Sequence, residues 1–377
     1  MRIGKIKVNH YINYVVISLL TVVMGAISLA GGSLDNSLLF LLEKMAISII
    51  LAVSLSLVVG FLGELSLGHA GFMCVGAYLG GKVASLLVPV LGNGLVTFLI
   101  SLLAGSAAAA VCGVIIGIPA LRLRGDYLAI VTLAFGEIVK SLFQNTSDAS
   151  FGGTLGLETP RYNKQYLFII SFVLVLAVLA VVQNFIRSKH GRAVTAIRDN
   201  EIAARATGIN VTKYKLAAFI ISAAFAGVAG VLYSFSNYRV QSAKFGYNYS
   251  IEILVMVVLG GMGSINGSII AAALITWLNT WLPTKLTGDL AVLQNLLYAL
   301  ILIVIVIYNN APALKGIRDR YNLGSLLGKL QKHDPSRIRD DKAKWDVVPT
   351  KISMDEILSV DMKQQNLSAD KENGGER

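Results

Sequence analysis

The feature that most constrains this chain is a succession of apolar runs, each about 20 residues long, separated by short polar stretches. Crossing about 30 Å of hydrocarbon takes roughly 20 helical residues. Inside lipid each backbone amide and carbonyl must be satisfied within its own segment, so runs of this length predict helices. Composition agrees: 55% of residues are hydrophobic and 15% charged, whereas soluble domains are about a quarter charged. The expected fold class is all-α, a polytopic membrane helical bundle whose solvent is the lipid bilayer.

The runs fall at 11–30, 38–60, 66–88, 95–118, 126–144, 165–186, 214–236, 251–282 and 290–308. The first has the basic head and small residues of a signal peptide (Ala26, Ser28, Ala30), but its length reads better as a first span with the N-terminus inside. Lys/Arg-rich loops face the cytoplasm. By that rule the loops 31–37, 89–94 and 145–164 lie outside, whereas Arg122, Arg124 and the basic segment 187–215 lie inside. Three crossings after residue 214 would leave the basic tail outside. Reading 251–282 as two elements broken at GGMGSING (260–267) repairs this, giving 8–10 membrane segments with both termini cytoplasmic. Arg239 and Lys244 remain outside and run against the rule. Residues 1–308 are thus the transmembrane domain, and the abruptly polar residues 309–377 are expected to be a disordered cytoplasmic tail.

The net charge of +11 comes from bases in loops and tail, which argues for membrane orientation and against nucleic acid as a partner. Cys74 and Cys112 lie inside apolar runs, and the four histidines are scattered, so no metal site is expected. GAYLGGKV (76–83) misses a phosphate-binding loop at Val83 and lacks its strand-to-helix setting. With no acid–base constellation either, no catalytic residue and no cofactor is assigned to this chain.

Two glycine-rich breaks stand out, GFLGELSLGHAGF (60–72) and GGMGSINGS (260–268), one in each half. Unwound backbone at membrane depth is tolerated where it lines a cavity, which makes Gly63, Glu64, Ser66, His69, Gly260, Gly261 and Gly263 candidates for a substrate path. Close helix packing through small residues is the competing reading. Glu137 and Glu252 are the carboxylates this reading places within spans, both near span ends. In the basic segment, taken to lie wholly in water, Asn200 is placed to cap a short helix over 201–207 that Gly208 closes. Glu201 and Arg205 share one face of it. Ala203, Ala204 and Ala206 would form a small, flat docking face.

Five segments then become recognisable together: SLGHAGFMCVGAY (66–78), LRLRGDYLAIVTLAFGEI (121–138), FGGTLGL (151–157), GRAVTAIRDNEIAARATGINVTKYKLAAF (191–219) and SIEILVMVVLGGMGSINGSIIAAAL (250–274). In this order they resemble the inner-membrane permease subunits of ABC importers for branched-chain amino acids, specifically the member of the pair with the GDYLAI stretch. The resemblance implies a type II ABC importer permease fold. It also implies a bacterial inner or plasma membrane location and import of leucine, isoleucine or valine by alternating access. The implied partners are a second homologous permease, two cytoplasmic ATP-binding subunits that hold ATP and magnesium, and an extracytoplasmic solute-binding protein. Asn200, Glu201, Ala203, Ala204, Arg205 and Gly208 would then couple to the ATPase. An ion-gradient-driven transporter or channel for a small polar solute is the alternative from another class.

Overall fold

A computed structural model describes residues 35–123 and 126–285, together with isolated helical residues at 17, 18, 21, 299, 300 and 303. Most of the expected first and last spans, and all of 309–377, lie outside the described residues. The chain divides into two compact units, Met1–Asn309 and Asn310–Arg377, and the description that follows concerns the first.

Its helices are α1 (Asn36–Ser56), α2 (His69–Leu91), α3 (Leu95–Ala120), α4 (Asp126–Gln144), the single turn α5 (Asp148–Phe151), α6 (Lys164–Arg187), α7 (Lys189–Asp199), α8 (Glu201–Ala206), α9 (Val211–Ser236), α10 (Tyr247–Gly260) and α11 (Ile265–Lys285). Sequence chemistry sets several of their starts. Asp35 caps α1, accepting from the Ser37 amide at 3.3 Å and from its hydroxyl at 2.6 Å. Those bonds hold the Asp35 carboxyl below its ordinary value. Asn210 caps α9 through the Lys213 amide. After α1 the backbone widens into a π-helical turn, Leu57–Leu62, and ends at Gly63.

Among the described residues seven helices are long and apolar enough to cross a membrane. They match the expected runs to within a few residues. The 251–282 run is broken as expected, between α10 and α11. At 14 residues α10 is only about 21 Å long, too short to span alone.

Helices α2, α3 and α9 pack closely on one another. A Cβ on Gly76 would stand 2.4 Å from the Gly227 carbonyl oxygen, so the backbones of α2 and α9 are in contact. The most deeply buried span, α1, packs against α6, α9 and α11. Apolar residues such as Leu103, Val111 and Ile115 remain exposed on α3, as a lipid-facing surface requires.

Some polar groups inside the bundle are paired across helices. The His69 ring meets the Ser54 hydroxyl at 2.8 Å, and Ser222 donates to the Ser54 carbonyl at 2.6 Å. At one end of the bundle β1 (Leu157–Glu158) pairs antiparallel with β2 (Arg239–Val240). Thr159 clamps this ladder to α9 by donating to the Ser234 carbonyl at 2.6 Å, and Tyr78 donates to Val240 at 3.0 Å. The 26-residue α9 places this ladder about 39 Å from its own N-terminus, beside α8. The ladder also accounts for the misplaced charge noted in the sequence: Arg239 is paired with Glu158 from the facing loop.

Candidate coupling site and helix breaks

The short helix α8 forms because Asn200, in extended backbone, accepts the Ala203 amide at 3.0 Å. It ends at Gly208, whose φ of +84° is left-handed, with Ile209 donating back to Ala204 at 3.1 Å. Arg205 and Glu201 pair at 2.8 Å across one turn, as their spacing predicts. The expected docking face needs correction at Ala204. Successive residues turn about 100°, so Ala204 lies opposite Ile202 and Ala206. Ala204 is 5% exposed and packs into the bundle, whereas Ile202 is 79% exposed. The outward face is therefore Ile202, Ala203 and Ala206.

Below α8 lies a group the sequence reading missed. Lys215, counted there among the bases in water, is buried, its side chain 5% exposed. Its ammonium reaches Glu64 at 2.5 Å and Glu201 at 3.1 Å. One cation near the start of α9 thereby ties the short helix to the glycine-rich break after α1. The two carboxylates and Arg205 form an alternating chain of charge, Glu64–Lys215–Glu201–Arg205. A crevice of about 250 Å3 opens beside it, lined by Arg122, Leu123, Thr212, Glu201, Arg205 and Lys215. The available signal was positional: Lys215 is four residues into α9 and within the apolar run 214–236, where a lone ammonium needs a partner.

The two glycine breaks meet at the same end. A Cβ on Gly60 would lie 2.5 Å from the Gly263 amide nitrogen, so backbone rests on backbone there. Arg198 of α7 covers the junction, donating to the Gly60 carbonyl at 3.1 Å and pressing its aliphatic stem on Gly63. Gly260 packs on the backbone of Gly267, and Gly261 turns the chain from α10 to α11 with φ +90°. Five of the seven path candidates, Gly63, Glu64, Gly260, Gly261 and Gly263, thus belong to a contact region beside α7 and α8, at the helix ends rather than halfway along the bundle. The other two are inside it. Ser66 is buried, and His69 is held by Ser54. For Gly60, Gly260 and Gly267 the contacts are those of close packing.

The set of carboxylates gains one member. Glu137 is paired with Lys140 at 2.8 Å and accepts the Tyr247 amide at 2.7 Å, which caps α10. Glu43, absent from the sequence-based set, is buried in α1, where it accepts from Ser236 at 2.6 Å. A lone acid in the run LLFLLEKMAIS was its signal.

A multi-pass helical membrane protein, with a capped surface helix wired by charge to broken membrane helices, has the make-up of a transport permease subunit. The comparisons agree. The family described as "Branched-chain amino acid transport system / permease component" matches residues 37–307, and the chain belongs to it. The chain is 40% identical over 260 residues to the "High-affinity branched-chain amino acid transport system permease protein LivM" of Salmonella typhimurium, covering 61% of this chain and 60% of that one. The Escherichia coli protein of the same name is 39% identical over the same shares. The match therefore spans about three fifths of these relatives. The "Ribose import permease protein RbsC" of Escherichia coli is 28% identical over 73% of this chain and 86% of its own. No solved structure matches.

Proposed function

We propose that this chain is the membrane-spanning permease subunit of an ATP-driven importer for branched-chain amino acids. It would work with a second, similar permease, two cytoplasmic ATP-binding subunits and an extracytoplasmic solute-binding protein. In this reading it lies in a bacterial plasma membrane with both termini cytoplasmic, and ATP and magnesium are held by the partner subunits.

The observation that carries the reading is the Glu201–Lys215–Glu64 bridge. A helix of six residues has little stability of its own, so a force applied to its exposed Ile202, Ala203 and Ala206 face must pass into whatever holds it. Ala204 anchors it by packing and Glu201 by charge. Lys215 passes the displacement to Glu64, beside the Gly60–Gly263 contact where two broken helices meet. Such a junction can rock without unravelling a continuous helix. Docking and undocking of ATPase subunits would in this way open and close the path between permeases.

The test is ATP-dependent uptake of radiolabelled leucine by the assembled transporter carrying Gly208→Asp or Ala204→Asp. Uptake is expected to fall at least tenfold at normal expression. Unchanged uptake would sink the coupling role. Uptake that persists without ATP and follows an ion gradient would favour a secondary transporter, to which Glu43 and Glu252 inside the bundle would be relevant.

A further inference from the structure

A polar cavity of about 280 Å3 opens in the half of the bundle nearer the β1–β2 ladder, between α1, α9, α10 and α11. Glu252, which lines it, precedes Gly260 by eight residues, so the cavity lies about 12 Å along α10 from the glycine junction. Its walls carry both signs of charge. Lys44 comes from α1, Lys244 from the loop after β2, and Glu252 from α10. Charges at this depth are costly unless they have partners or a ligand. Lys44 and Glu252 attract each other across the space but close no salt bridge, and the direct contacts of each are neutral: Glu252 accepts from the Asn279 amide, and the Lys44 ammonium sits 4.5 Å from the centre of the Phe40 ring. Thr276 also lines the cavity, is 5% exposed, and has no hydrogen-bond partner for its buried Oγ1 among the described residues.

We propose that this cavity binds a single α-amino acid as its zwitterion. The proposal rests on the amino-acid reading above and adds a site within this chain. The ammonium of the ligand would face Glu252 and the Thr276 hydroxyl, and its carboxylate would face Lys44 and Lys244. Ile47 and Phe245 supply apolar wall for an aliphatic side chain. The volume suits one small solute, at the low end of ligand sites of roughly 300–1,000 Å3. A neutral sugar of similar size would offer no charge to Glu252 or to either lysine, which argues against a pentose here.

The test uses the full transporter in proteoliposomes, with Cys74 and Cys112 replaced by Ser and a reporter introduced as Thr280→Cys on the cavity wall. Labelling by a small polar maleimide is timed with leucine, 4-methylpentanoate, isopentylamine or ribose present. Leucine is expected to slow labelling at least fivefold, the other three to leave it unchanged, and Glu252→Gln to remove the leucine effect. Should Thr280→Cys abolish import, Ser48→Cys on the opposite wall replaces it. Equal labelling with and without leucine, in a complex that still imports leucine, overturns the cavity site and leaves the importer reading intact. Protection by ribose or by the two single-charge analogues as strong as by leucine overturns zwitterion recognition. A complex that imports no α-amino acid removes the reading on which the site rests, and the site with it.

Discussion

At the α8 end of the bundle charges meet one another: Lys215 is enclosed by Glu64 and Glu201, and Arg198 covers backbone at the Gly60–Gly263 contact. Around the cavity nearer the ladder they close no salt bridge among the described residues. Glu252 is held by an amide and Lys44 by an aromatic ring around open space, while the closure is made by Thr159, Tyr78 and two short strands. Both ends put ionisable groups in an apolar protein. An enclosed, mutually satisfied cluster transmits position, because moving one member strands the others. A cluster with neutral partners can accept a charged guest. The difference teaches that a buried charge must be read through its partners before a role is given to it.

Lys215→Met should break the first arrangement most severely. Removing one member of a buried ionic cluster leaves carboxylates uncompensated and costs about 3–5 kcal/mol. A Tm shift of the purified complex measures it, and adding Glu64→Gln should restore part of the loss. A full-stability Lys215→Met protein would show that the lysine is solvated and the bridge inert. Gly60→Ala comes next. The added methyl meets the Gly263 backbone, and overpacking of this kind costs about 1–3 kcal/mol. Loss of uptake with smaller thermal change would locate the moving joint there. Asn200→Ala removes the α8 cap at about 1 kcal/mol, visible as faster amide exchange across 201–206 with the ladder end unaffected. Arg239→Gln should matter least. Its pair with Glu158 is exposed on both sides, and such pairs contribute about 0–1 kcal/mol. A large loss of stability there would mean that the two ends depend on charge alike.

Much of the frame was legible in the chain. Span positions, the break between α10 and α11, the Asn200 cap and the Gly208 stop all follow from local chemistry, namely apolar run length, a side-chain oxygen at an N-cap and a left-handed glycine. Lys215 was misread because a base beside a basic loop looks solvated until Glu64, 151 residues away, is placed against it. Ala204 was misread because three alanines in six residues do not say which side of a helix the bundle takes. The two glycine breaks were found as a pair, yet their meeting needed a contact between positions 60 and 263.

By itself the sequence determined that this protein is a bundle of membrane helices, where the described spans fall to within a few residues, and where the short capped helix α8 stands. Backbone hydrogen bonding in lipid is local, so its signals are local too. Which charges neutralise each other, which glycines touch and where polar space is left open were decided by tertiary packing alone. Those are relations between helices far apart in the chain, and no single run of residues contains them.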